Sequence, residues 1–180
     1  MNPCRYKASY VNEVKMSDMS MRPSATTGSK GKTYRFYTGA VNWPFGYGLS
    51  YTSFELKWGS ASAMPPASLP AATLRKEGVA VAVRVANTGS MRAKKIVALY
   101  LSTPALDGAP LRTLVALEKV DLAAGAATTV TLTTNLVDSW CAFCVYDDAG
   151  VASVPVGTAY TLDVGDGAAA ALSAITITSS

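Results

Sequence analysis

Between residues 79 and 86 the chain alternates without interruption. Val79, Val81, Val83 and Val85 fall on one side, and Ala80, Ala82, Arg84 and Ala86 on the other. A period of two is the signature of a strand with one buried face. Burying each valine is worth about 1.5–3 kcal/mol before entropy is counted. A slip of one residue would turn all four toward water, so the register of this strand is well specified. A chain built around such a strand needs partners of the same kind, and the sequence supplies them. Thr52, Phe54, Leu56 and Trp58 alternate with Tyr51, Ser53, Glu55 and Lys57.

Further strands are expected over 96–102, 111–120, 128–134, 141–146, 159–164 and 172–177. Turn signals separate them: Asn87-Thr88-Gly89-Ser90, with Gly89 available for a positive φ, then Pro104 and Asp107-Gly108-Ala109-Pro110, Ala124-Gly125, the Asp147-to-Gly150 cluster, Pro155-Val156-Gly157 and Gly165-Asp166-Gly167. The alanine run from Ala168 to Ala171 reads as a loop before the last strand. Seven or eight short strands with almost no helical periodicity predict an all-β antiparallel sandwich of immunoglobulin or fibronectin type. Residues 59–73, rich in Ala and Ser and carrying Pro65, Pro66 and Pro70, read as a linker-like insertion between the first two strands.

Composition narrows the chemistry. Half of the 180 residues are apolar and only 16% are charged, which is enough for a core and excludes a disordered charged tail. Histidine is absent, so the chain offers no Ser-His-Asp or Cys-His machinery and no histidine-ligated zinc. Residues 1–59 hold eight Lys or Arg against Glu13, Asp18 and Glu55. The rest is near balance, and there is no dense basic stripe, so no nucleic-acid partner is expected. No apolar run is long enough for a membrane helix, and the first residues show no signal-peptide pattern. Cys141 and Cys144 have redox-motif spacing. On an extended strand they would point to opposite faces, so they read as two unrelated half-buried thiols, and Cys4 as a third. The Asp147-to-Gly150 cluster reads as a hairpin turn rather than a calcium site. No catalytic, cofactor-binding or metal-binding residue is assigned.

The most specific stretch packs aromatics around glycines: Lys32-Thr33-Tyr34-Arg35-Phe36-Tyr37-Thr38-Gly39, then Trp43-Pro44-Phe45-Gly46-Tyr47-Gly48-Leu49-Ser50-Tyr51-Thr52-Ser53-Phe54. Gly46 and Gly48 are expected to permit backbone turns closed to other residues. This corner strongly resembles the junction in the C-terminal part of glycoside hydrolase family 3 enzymes, where the α/β-sandwich domain leads into a fibronectin type III-like domain. Tyr10-Val11-Asn12 and Met16-Ser17-Asp18-Met19-Ser20-Met21-Arg22-Pro23 resemble the β-xylosidase-like branch. Val85-Ala86-Asn87-Thr88-Gly89-Ser90, Val97-Ala98-Leu99-Tyr100-Leu101 and Leu162-Asp163-Val164-Gly165 are similar to segments of the fibronectin-like domain.

The resemblance implies a boundary. Residues 1–48 would be a remnant of the α/β-sandwich domain with a junction segment, largely irregular, and residues 49–180 the fibronectin type III-like domain. The family's two catalytic carboxylates lie upstream of the matched region, so Ser17-Asp18 is assigned no role. The expected function is a non-catalytic accessory module of a β-xylosidase-like hydrolase acting in xylan or hemicellulose metabolism. Its expected partners are the parent's catalytic domains and a plant-type polysaccharide, and its expected location is extracellular or in the cell wall. Two alternatives stand beside it: a free-standing carbohydrate-binding or adhesion module with Trp43, Phe45, Tyr47 and Tyr51 as a stacking platform, and a shortened form of an active β-xylosidase hydrolysing O-glycosyl bonds. For the four aromatics, burial at the junction is the expectation over sugar stacking. Without a covering domain, the first forty residues should be poorly ordered or expose apolar side chains, and proteolysis should begin before about Tyr34.

Overall fold

The computed structural model of the chain describes residues 5–103, 109–134, 141–165, 172 and 174–180. Cys4, Pro104, the Asp107-Gly108 turn, Asp166-Gly167 and the run from Ala168 to Ala171 lie outside the described residues. The elements run β1 (Arg5–Tyr6), α1 (Tyr10–Glu13), α2 (Thr33–Phe36), β2 (Val41–Trp43), β3 (Phe54–Trp58), β4 (Ser68–Leu69), α3 (Ala71–Lys76), β5 (Ala80–Asn87) and β6 (Ala93–Ser102). They continue with β7 (Thr113–Leu122), β8 (Ala127–Thr133), β9 (Val145–Tyr146), β10 (Ala152–Ser153), β11 (Ala159–Val164) and β12 (Ile175–Ser179).

Two sheets form an all-β sandwich. One has three strands in the order β3-β5-β8, and the other five in the order β4-β12-β11-β6-β7. The valine strand lies central in the smaller sheet, with Val83 opposite Trp58 on one side and Val130 on the other. Val81, Val83 and Val85 meet Val97, Leu99 and Leu101 of β6, Leu162 and Val164 of β11, and Ile177 of β12 in one core. The predicted register therefore holds: the alternate set, apart from a buried Ala82, faces outward or lies half-buried. β3 alternates as expected too, with Glu55 and Lys57 exposed. Two small antiparallel pairs, β1-β2 and the β9-β10 hairpin, sit outside the main sheets.

Several expectations need correcting. Residues 59–73 are not a linker. Gly59 donates to the Ala82 carbonyl (2.8 Å), β4 pairs parallel with β12, and α3 sends Leu74 fully into the core. The larger sheet is therefore mixed rather than purely antiparallel. The prolines mislead because they can bound short elements as readily as they loosen a chain; Pro70 immediately precedes α3, and its carbonyl accepts from Leu74. The last strand begins at Ile175, three residues later than predicted. Residues 141–144 form a tight turn closed by a Cys141–Cys144 disulfide and not a strand with two separate thiols. On a turn, positions i and i+3 come together, which removes the objection drawn from strand geometry. Only Val145–Tyr146 of the predicted segment is extended.

Glycine roles also shift. Gly46 does adopt a left-handed φ of 88°, but Gly48 and Gly89 do not. Gly89 is needed for space: a Cβ there would lie 2.9 Å from the Ser53 amide nitrogen and even closer to the Thr52 hydroxyl. The Asp147 cluster is a hairpin turn, with Asp147 Oδ1 accepting from the Ala149 and Val151 amides at 3.0 and 2.8 Å. No helix among the described residues is long and apolar enough to cross a membrane.

Candidate functional site

The aromatic corner is built from three short pieces. β2 pairs with β1, so Trp43 lies opposite Arg5. The chain then turns at Pro44, whose carbonyl accepts from the Tyr47 amide at 3.1 Å, with Gly46 taking the left-handed position. Phe45 is directed inward. Its ring stacks on Tyr34 (centroids 4.1 Å, 29°) and meets Tyr100 of β6 edge-on (5.7 Å, 72°). Trp43 and Tyr47 lie 6.3 Å apart and tilted by 32°, both reaching solvent. Tyr51 is 94% exposed, and Leu49 beside it is similarly open. Of the four aromatics singled out in the sequence, this chain itself packs Phe45 into an aromatic stack and leaves the other three facing out. The rings share no common plane.

One arginine ties this corner to the sandwich. Arg112 immediately precedes β7, with its guanidinium 3.7 Å from the Tyr100 ring centroid. It donates to Asp163 of β11 and, at 3.5 Å, to the Phe45 carbonyl. Its Nε is buried without a hydrogen-bond partner. The neighbouring Leu111 amide donates to the Arg35 carbonyl (2.7 Å), a second tie between the segment preceding the corner and β7. Arg112 is not singled out in the sequence, because nothing local marks a cation–π and ion-pair hub formed across 51 positions. Replacing Arg112 with methionine should cost about 1–3 kcal/mol, since it strands a half-buried carboxylate. Thermal unfolding checks this, and adding Asp163→Leu should recover most of the loss.

Between the corner and the outer face of the five-stranded sheet runs a groove of about 510 Å³, lined by Tyr47, Leu49, Ile96, Leu114 and Leu117 with Tyr100 at its floor. A second, polar cleft lies among residues 12–30. There Tyr37 donates to Glu13 (2.7 Å), and that bond, helped by Lys30 at 3.2 Å, holds the Glu13 carboxyl below its ordinary range. The Ser20 hydroxyl and amide hold Asp18 at about 2. Asp18 is thus a turn-capping carboxylate: Oδ1 accepts from Ser20 and Oδ2 from the Thr27 hydroxyl at 3.1 Å. Among the described residues the remaining carboxylates offer no pair across a cleft: Asp121 pairs with Arg92 at 3.0 Å, Asp163 pairs with Arg112, and Glu118 is exposed on β7, while Asp166 lies outside the described residues. Among the described residues no group of three or more His, Cys, Asp or Glu side chains could hold a metal ion.

The first residues expose apolar groups while following a defined path. Val11, Met16 and Met19 face solvent, Met16 almost completely (97%), whereas Val14 and Tyr37 are buried. Met21 of the same segment is exposed as well.

No protein-family model matches the chain. It is 34% identical over 177 residues to a β-xylosidase/α-L-arabinofuranosidase 2 of Medicago sativa subsp. varia, covering 89% of this chain and 22% of that protein. It is 34% identical over 124 residues to an exo-1,4-β-xylosidase of Emericella nidulans, covering 66% of this chain and 16% of that one. A solved GH3 exo-β-xylosidase in complex with a xylobiose aziridine probe superposes with a TM-score of 0.74 at 22% identity, over 99% of this chain and 24% of its own. A Bifidobacterium adolescentis GH3 β-glucosidase gives 0.63 at 26% identity, over 81% of this chain and 20% of its own. The sandwich with its aromatic corner is therefore a region shared with glycoside hydrolases. Within them, the chain belongs with the β-xylosidase-like proteins of glycoside hydrolase family 3. It spans about a fifth of the length of the curated relatives it matches.

Proposed function

We propose that this chain is the C-terminal accessory region of a β-xylosidase-like hydrolase, with a fibronectin type III-like sandwich over residues 49–180 and a junction segment before it. It takes no part in bond cleavage and stabilises the catalytic domains by covering their apolar surface. The observation that carries this reading is the strip Trp43, Tyr47, Leu49 and Tyr51, solvent-facing here on the segment that enters the sandwich, in a chain similar to only a fifth of each xylosidase. Large apolar side chains clustered on one segment are characteristic of a contact surface. The polysaccharide belongs to the parent's catalytic domains, and an extracellular or cell-wall location follows the same reading.

Two experiments test it. The 180-residue chain incubated with an aryl β-xyloside should give no turnover above buffer, and turnover would instead support the shortened active enzyme. The chain should also co-elute with a family 3 β-xylosidase from which the matching region has been removed, and Leu49→Ser with Tyr51→Ser should abolish co-elution. A carbohydrate-binding reading draws on Trp43 and Tyr47, which both reach solvent. Titration calorimetry with xylo-oligosaccharides separates it, because heat lost in Trp43→Ala and absent for the partner enzyme would favour sugar over domain docking.

A further inference from the structure

We infer that the Cys141–Cys144 disulfide is a reversible thiol-exchange site, a place where the protein accepts two electrons from a dithiol and returns them without unfolding. The two sulfurs are held together by more than their own bond. Between them, Phe143 is fully buried in the sandwich core, its ring edge-on to Tyr160 at 5.1 Å and 86°. The Tyr160 hydroxyl donates to the Phe143 carbonyl at 2.9 Å, and the Cys144 amide donates to the Cys141 carbonyl at 3.3 Å. Three contacts that do not depend on oxidation state therefore fix the four-residue turn. The loop closed by the bond is among the shortest possible, so the cross-link constrains little of the unfolded chain and is a poor global staple. Both cysteines are half-buried rather than sealed in the core, and exchange requires only that one sulfur be reached by a thiolate.

The exchange balances as follows. A thiolate of the dithiol attacks one sulfur of the pair, the Cys141–Cys144 bond breaks, and the other cysteine leaves as a thiolate and takes up a proton. The reductant's second thiol then attacks the mixed disulfide. It closes the reductant into its own disulfide and releases the remaining cysteine as a thiol. Two electrons and two protons pass to the cysteine pair. Because Phe143 and Tyr160 still hold the turn, the thiols stay opposed. In the return step one of them attacks a disulfide oxidant such as oxidised glutathione, releasing one thiol. The second cysteine then attacks the mixed disulfide, releases the other thiol and re-closes the intramolecular bond rather than linking another chain. The consequence is local: β9 begins at Val145, immediately after the turn, so the oxidation state sets how firmly the β9-β10 hairpin is anchored.

The test uses the full chain under native conditions. After treatment with dithiothreitol and then a maleimide, peptide mass mapping should find labels on both Cys141 and Cys144 within minutes, with the β-sheet circular dichroism unchanged. Removing the reductant and adding oxidised glutathione should restore the intramolecular bond at a rate independent of protein concentration. Tyr160→Phe, which deletes only the hydroxyl, should slow this re-closure several-fold. Labelling that appears only in guanidinium, or re-oxidation that yields linked dimers, would overturn the proposal, as would an unchanged re-closure rate in both Tyr160→Phe and Phe143→Leu.

Discussion

Replacing Asn87 with leucine should destabilise the sandwich by about 3–4 kcal/mol, although the two side chains are close in size. Asn87 is 1% exposed at the end of β5, and its amide uses every hydrogen-bonding position it has. Oδ1 accepts from the Thr52 hydroxyl (2.9 Å) and the Gly89 amide (3.1 Å), while Nδ2 donates to the Met91 carbonyl (2.7 Å) and the Leu122 carbonyl (3.1 Å). One side chain thus links the segment before β3, the turn after β5 and the end of β7. Leucine would leave the Leu122 carbonyl and the Gly89 amide without these partners, and each such buried group costs about 1–3 kcal/mol. Asn87→Asp separates geometry from chemistry, since a carboxylate keeps the two accepted bonds and turns oxygens toward two carbonyls. Its folded-state pKa should rise, so the variant should be most stable below the unfolded value of about 4 and lose stability as pH climbs through the folded value. Urea denaturation of wild type and both variants at pH 4 and pH 7 checks size and sign. A loss below 1 kcal/mol for Asn87→Leu would show that water replaces the network.

This residue shows what was legible and what was not. Asn87-Thr88-Gly89 reads in sequence as a turn, and the structure ends β5 at Asn87 and bends the chain from Gly89. Its dominant role is a set of bonds to positions 35 residues away on either side, which no local pattern encodes. The strands read well wherever one face is buried and the other wet, as in β3, β5 and β11, because alternation is then forced by burial. Legibility failed where side chains obey neither period. The Cys141–Cys144 turn sits in an apolar run that mimics a strand, since Phe143 enters the core from a turn rather than a ladder. At the candidate site, the aromatic corner was visible as a cluster, while Arg112, which orients it through Tyr100, Asp163 and the Phe45 carbonyl, was invisible for lack of a sequence neighbour.

The short helix that starts at the end of the stretch read as a spacer gives the second large effect. Leu74→Ala should cost about 3 kcal/mol, in the range for a large-to-small change in a packed core. Leu74 lies on the six-residue α3, fully buried in the same cluster as Val81, Val83 and Ile177. A single-turn helix this short has no intrinsic stability, so its position must be imposed by its neighbours. They are visible: the Leu69 carbonyl accepts from Ser180 (2.9 Å), Ser180 accepts from the Ala71 amide (2.9 Å), and the Ala67 carbonyl accepts from Thr178 (2.8 Å). The end of β12 is thus laced to the segment carrying Leu74, and that side chain closes the core below β5. Lys76→Ala, on an exposed position of the same helix, should change stability by less than about 0.5 kcal/mol. If α3, which begins inside 59–73 and runs on to Lys76, were only the end of a tether, Leu74→Ala would behave like Lys76→Ala. Equilibrium denaturation of the two variants decides between a spacer and a structural plug. A plug would further require that Leu74→Ala speed hydrogen exchange at the Ser179 and Ser180 amides more than at those in the middle of β5, because the lacing gives way before the central strand does.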